Sequence, residues 1–184
     1  MKANKIITGV CRVSYAHLLE PYAMEGQEPK YSAVLIFPKT DIETRNAIDK
    51  AIDKAIEDGV AKFGGKKIAK TSVHIIKDGD EKDDPIYAGS YYINVKSKDK
   101  PQIVDRNLQD IIDPDEIYSG MYARFSLSFY PYSFNNMRGI SVAMGNVQKV
   151  KDGERFSGKA KASSDFNDGF SSNNSDDGGL PFGD

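Results

Sequence analysis

Cysteine occurs once in the 184 residues, at Cys11, and histidine twice, at His17 and His74. A single thiol excludes a disulfide framework and a zinc knuckle, and it suits a reducing compartment. A Ser/His/Asp or Cys/His centre would have to use one of two histidines that carry no local signature, so no catalysis and no cofactor are expected. Long apolar runs are missing as well. There is neither an apolar core of about 7–15 residues behind the basic N-terminus nor a run of about 20 to span a membrane. The expectation is a soluble, cytoplasmic protein.

What is present is charge, unevenly placed. The chain holds 25 Lys+Arg and 27 Asp+Glu. Residues 163–184 contain five acids (Asp165, Asp168, Asp176, Asp177, Asp184) and no cation, so residues 1–162 carry all 25 cations against 22 acids. A mildly basic body with an acidic tail is a pattern of nucleic-acid interaction or of a regulatory tail.

Short strand-like stretches dominate the body. Lys5–Tyr15 has a two-residue period, with Ile7, Cys11, Val13 and Tyr15 on one side and Thr8, Val10, Arg12 and Ser14 on the other. Tyr31–Phe37 reads as a strand buried on both faces. Thr40 and Glu43 have the spacing of a capping box, and Ile48, Ile52, Ile56 and Val60 follow at helical spacing until Gly64-Gly65, which predicts one helix over about 40–63. Further strands are expected at Ser72–Ile76, Tyr91–Lys98, Gln102–Asp105, Tyr122–Tyr132 and Gly139–Val150. The fold class is mostly β: an OB-like small barrel over 1–153 with one inserted helix, followed by a disordered acidic tail over 154–184.

The period within Tyr122–Tyr132 sends Ala123, Phe125, Leu127 and Phe129 to a core and Tyr122, Arg124, Ser126, Ser128 and Tyr130 outward. Tyr91–Lys98 repeats the pattern, with Tyr92, Asn94, Lys96 and Lys98 outward. Rings that stack on bases beside cations that meet phosphate are what a single-stranded nucleic-acid platform requires. The candidate DNA-binding residues are Arg12, Tyr92, Lys96, Lys98, Arg106, Tyr122, Arg124, Tyr130, Tyr132 and Arg138. Two other readings use different residues. Asp78, Asp80, Asp83 and Asp84 offer hard oxygen ligands for a Mg²⁺-dependent nuclease, and exposed tyrosines would equally serve a virion or scaffold interface.

Thr8-Gly9 with Arg12-Val13-Ser14-Tyr15, Tyr31–Lys39 leading into the helix, Asp78-Gly79-Asp80, Tyr91–Asn94 and Tyr130 through Gly139-Ile140 together carry a resemblance. The chain resembles the OB-fold single-stranded-DNA-binding proteins of tailed bacteriophages, formerly known as a phage domain of unknown function. The resemblance implies sequence-independent binding of single-stranded DNA, self-association as a homodimer or larger, and work in phage genome replication or recombination in the host cytoplasm. Asp176, Asp177, Leu180, Pro181 and Phe182 look like the acidic tip of bacterial single-stranded-DNA-binding proteins. That likeness implies a tail that competes for the DNA groove and docks on replication or recombination proteins. Gly183-Asp184 depart from the bacterial pattern, in which phenylalanine ends the chain, and this points to a phage-encoded partner.

Overall fold

The computed structural model describes residues 4–156. The elements run β1 (Lys5–Ile7), β2 (Cys11–Tyr22), β3 (Lys30–Pro38), α1 (Ile42–Asp58), β4 (Lys77–Asp78), β5 (Ser90–Ser97), β6 (Ile103–Val104), β7 (Tyr122–Phe134) and β8 (Met137–Lys151), with three short 3₁₀ turns between them. Five strands close a ring in the order β7, β2, β3, β5, β8 and back to β7. Its pairings are antiparallel except β5 with β8, where one parallel pair, Lys96 opposite Ala143, closes the ring. This is the mostly β, OB-like arrangement of five strands, partly open at one seam.

Alternation along the strands fills the ring. Val13, Leu35, Ile93, Val95, Phe125, Leu127 and Phe129 are buried there. The helix lays Ile48, Ala51, Ile52, Ala55 and Ile56 against the side formed by β7 and β1, so ring and helix share one core. Gly9 is required where the chain passes the start of α1. A Cβ there would stand 2.4 Å from an Asp41 carboxylate oxygen, and the Gly9 N–H instead donates to the Thr44 hydroxyl at 2.8 Å.

Several sequence expectations are corrected. The helix spans Ile42–Asp58, not 40–63. Its N-cap is Asp41, whose carboxylate accepts from the Thr44 N–H at 3.1 Å, so the Thr40–Glu43 box is not used. It stops at Gly59, and Phe63 then folds back into the core through its N–H to the Gly59 carbonyl, 3.0 Å. Lys5–Tyr15 is two strands, because Thr8 turns inward and its hydroxyl accepts from the Phe125 N–H at 3.1 Å. Past that break Tyr15 sits at φ 46° in a bulge and is exposed, and Ile7 is exposed as well. Ser72–Ile76 is a 3₁₀ turn and an irregular segment; Val73, Ile75 and Ile76 pack on the core without a ladder. Among the described residues no helix is long and apolar enough to cross a membrane.

Replacing Asp41 by alanine removes the N-cap and one end of the Asp41–Thr44–Gly9 chain. Denaturant unfolding is expected to show a loss of about 1–2 kcal/mol.

Candidate nucleic-acid interface

The site begins with strand parity on β3 and β5. Ser32, Val34 and Ile36 pair with Lys96, Asn94 and Tyr92, so all six share the outer face while Ile93 and Val95 face the core. At the thin β5–β8 seam the surface is concave. A groove of about 580 Å³ lies over it, with Lys30, Lys77, Lys96 and Lys98 on one wall and Tyr130 and Ser141, a cross-strand pair, on the other. Among the described residues, Asp99 is the one acid that lines it. A second cleft of about 410 Å³ shares Lys30 and Lys96 and extends the surface to Tyr22 at the end of β2 and to Met24 on the loop that follows. There Tyr22 stacks on His17, with ring centroids 4.5 Å apart and planes 12° apart.

Electrostatics favour an anion in this groove. Lys98 lies 3.8 Å from Glu28, but both side chains are mostly exposed, so that pair is weak. Tyr92 meets Tyr87 edge-on at 5.2 Å, with the Lys82 ammonium 5.0 Å from its ring, which fixes its orientation beside Lys77.

Of the residues proposed from sequence, Lys96, Lys98 and Tyr130 line the groove, Tyr92 lies beside it on the same face, and Tyr132 continues its wall along β7. The others lie elsewhere. Arg12 sits between Tyr122 and Phe156, 5.4 and 4.4 Å from their rings, and donates to the Gly120 and Glu154 carbonyls at 3.3 and 2.9 Å. The Lys151 ammonium also lies 4.5 Å from the Tyr122 ring. Arg124 donates to the Thr8 carbonyl at 3.1 Å and Arg138 to the Phe63 carbonyl at 2.8 Å. Arg106 lines a different cleft, where Asp105, Asp110, Asp113, Glu116 and Asp152 outnumber the cations. The tail residues Asp176, Asp177, Leu180, Pro181 and Phe182 lie outside the described residues.

Lys30, Lys77, His17 and Tyr22 are additions that sequence reasoning missed. Lys30 had a signal: it shares the parity of Ser32 and Val34, which an assignment of both faces of that strand to the core conceals.

The acidic turn has a structural use. Lys39 bridges Asp78 and Asp80 at 2.8 and 2.6 Å, and Asp80 also accepts from the Gly89 N–H at 2.7 Å. The lysine lowers the Asp78 carboxyl below its ordinary value; for Asp80 the Gly89 N–H leads and the lysine adds to it. Asp84 caps the Ile86 N–H at 3.0 Å, and Asp83 takes a left-handed conformation at φ 51°. Among the described residues no three His, Cys, Asp or Glu side chains gather as a metal site requires.

Residues 4–178 match the family model of the Enterobacter phage Enc34 ssDNA-binding protein. The chain belongs to that family. Protein p50 of Acyrthosiphon pisum secondary endosymbiont phage 1 is 32% identical over 169 residues, covering 86% of this chain and 90% of that protein. Among solved structures, the single-stranded DNA-binding protein of bacteriophage Enc34 in complex with ssDNA superimposes with a TM-score of 0.74. It is 29% identical, and the match covers 85% of this chain and 91% of that one. Gp2.5, a single-stranded DNA binding protein encoded by bacteriophage T7, matches with a TM-score of 0.61 at 18% identity, over 88% of this chain and 93% of its own, and shares the fold.

Proposed function

We propose that this chain binds single-stranded DNA without sequence preference, along the groove over the β5–β8 seam, during phage genome replication or recombination. The observation that carries the reading is the convergence of Lys30, Lys77, Lys96 and Lys98 opposite Tyr130 in one concave surface, with a single acid among the described residues that line it. Phosphates meet the lysines, and bases stack on Tyr130 and on Tyr92 beside it, a combination that tolerates any sequence because every base has a π-face. Membership of a family whose named protein is a single-stranded-DNA binder supports the same reading.

The acidic tail competes for this groove and recruits replication or recombination proteins through Leu180-Pro181-Phe182. Two observations support the first role. The last described residue, Phe156, is held against Arg12, and Arg12 pairs with Ile36, which pairs with Tyr92 on the outer face that carries the groove. Residues 163–184, beyond it, hold five acids and no cation. Clustered carboxylates carried on the same chain act at high effective concentration on a basic groove. Self-association accompanies binding in this reading, and sedimentation with and without DNA measures it.

Anisotropy of a labelled single-stranded oligonucleotide, over a salt series with duplex competitor, tests the proposal on the full chain and on a chain ending at Ala162. With about four phosphates neutralised, log K against log salt should slope at roughly −3. The shortened chain should bind more tightly at low salt, and a slope near zero would sink the mechanism.

A further inference from the structure

Beyond Tyr130, β7 and β8 continue as a two-stranded ribbon to a turn at Asn135-Asn136, both left-handed at φ 49° and 62° as a tight two-residue hairpin requires. Tyr132 lies opposite Gly139 and Phe134 opposite Met137, and the two-residue period puts all four on the face of Tyr130. The Tyr132 ring lies across Gly139, where a Cβ would stand 2.7 Å from the phenol oxygen. Phe134 and Met137 at the tip are 72% and 65% exposed.

The other face of the ribbon is braced. Arg138 donates to the Phe63 carbonyl at 2.8 Å and Lys62 to the Pro131 carbonyl at 3.5 Å, which ties the ribbon to the segment after α1. Among the described residues the Tyr130 face is left open and aromatic, and it continues out of the lysine-lined groove. Its area limits what it suits. Two apolar side chains present at most about 400 Å², below the roughly 600–800 Å² per partner that stable protein interfaces bury. A flat nucleobase needs only one ring to stack on.

We infer that the hairpin tip is a second stacking station for the strand held in the groove. Tyr130, Tyr132 and Phe134, spaced about 7 Å apart, receive successive bases as the strand leaves the lysines, and the Phe134–Met137 pair takes the last of them. The inference rests on the groove being the DNA site, and oligonucleotide length separates the two claims.

The chain has no tryptophan, so Phe134→Trp installs its single indole at the tip, excited at wavelengths that its ten tyrosines do not absorb. Titration with oligothymidylates of about 4 and about 16 nucleotides, the limits for one OB fold, should quench its emission with the longer one alone. In the full chain Phe134→Ala should weaken binding of the longer oligonucleotide by roughly 5- to 150-fold. It should leave the shorter one unaffected and the melting temperature unchanged. Equal losses at both lengths, or none at either, overturn the inference. So does a change in sedimentation with DNA affinity intact, which would assign the tip to a second copy. Binding that is indifferent to Phe134 removes the tip alone; an unsubstituted chain that binds neither oligonucleotide removes the groove reading, and the tip with it.

Discussion

A chain carrying Lys77→Gln, Lys96→Gln and Lys98→Gln is expected to bind single-stranded DNA roughly 100-fold more weakly at ~0.1 M salt, with its salt slope flattened by about 2 units. Each lysine that neutralises a phosphate releases condensed counterions, and on a single strand each contributes about 0.7 to the slope. Glutamine keeps a polar stem of similar reach while removing the charge. The three positions lie on the wall of the groove and not in the core, so the free energy of unfolding should stay within about 0.5 kcal/mol. Arg106→Gln serves as the control, because that side chain lines an acid-rich cleft elsewhere. If the control lost as much as the triple variant, the phosphates would not follow the groove. A triple variant with an unchanged slope would remove the lysines from the mechanism.

The fold and half of this site are legible in the sequence where periodicity is undisturbed. On β5 and β7 the outward positions of Tyr92, Lys96 and Tyr130 follow from parity, although Ser126, outward by the same parity, is buried at a register shift against β8 and accepts from the Asn146 N–H at 2.7 Å. Parity fails where the chain breaks its own pattern. Thr8 turns inward to satisfy the Phe125 N–H, and the bulge at Tyr15 shifts the register of β2, which exposes Ile7 and Tyr15. Cations are harder to place than rings because their stems are long. Arg12, Arg124 and Arg138 lie on or beside strands as expected, yet each guanidinium reaches back to a carbonyl distant in sequence, at Glu154, Thr8 and Phe63. Local sequence has no record of those partners. Nor does it show that Lys30, from the start of β3, and Lys77, from β4, share a wall with Lys96, because the β3–β5 and β4–β5 pairings bring them together.

Phe129 and Tyr130 are neighbours on β7 with opposite expected outcomes. Phe129 is wholly buried inside the ring, and Tyr130 is 43% exposed on the groove wall. Phe129→Ala deletes a buried ring in a close-packed interior and should cost about 3–5 kcal/mol of stability. At temperatures where the variant is still folded its DNA affinity should change little, because no atom of Phe129 reaches the groove. Tyr130→Ala should do the reverse: unfolding is nearly unchanged, while binding weakens by about 1–3 kcal/mol, the worth of one stacked base. Tyr130→Phe separates the ring from its hydroxyl. If stacking holds the base, the phenylalanine variant keeps most of the affinity; if the hydroxyl contributes the larger share, it falls with the alanine variant. Chemical denaturation and oligonucleotide titration on the same four proteins measure both quantities. A Tyr130→Ala chain that lost stability and kept its affinity would move this face of β7 from the binding surface to the core, and the ribbon beyond it could not then guide a strand.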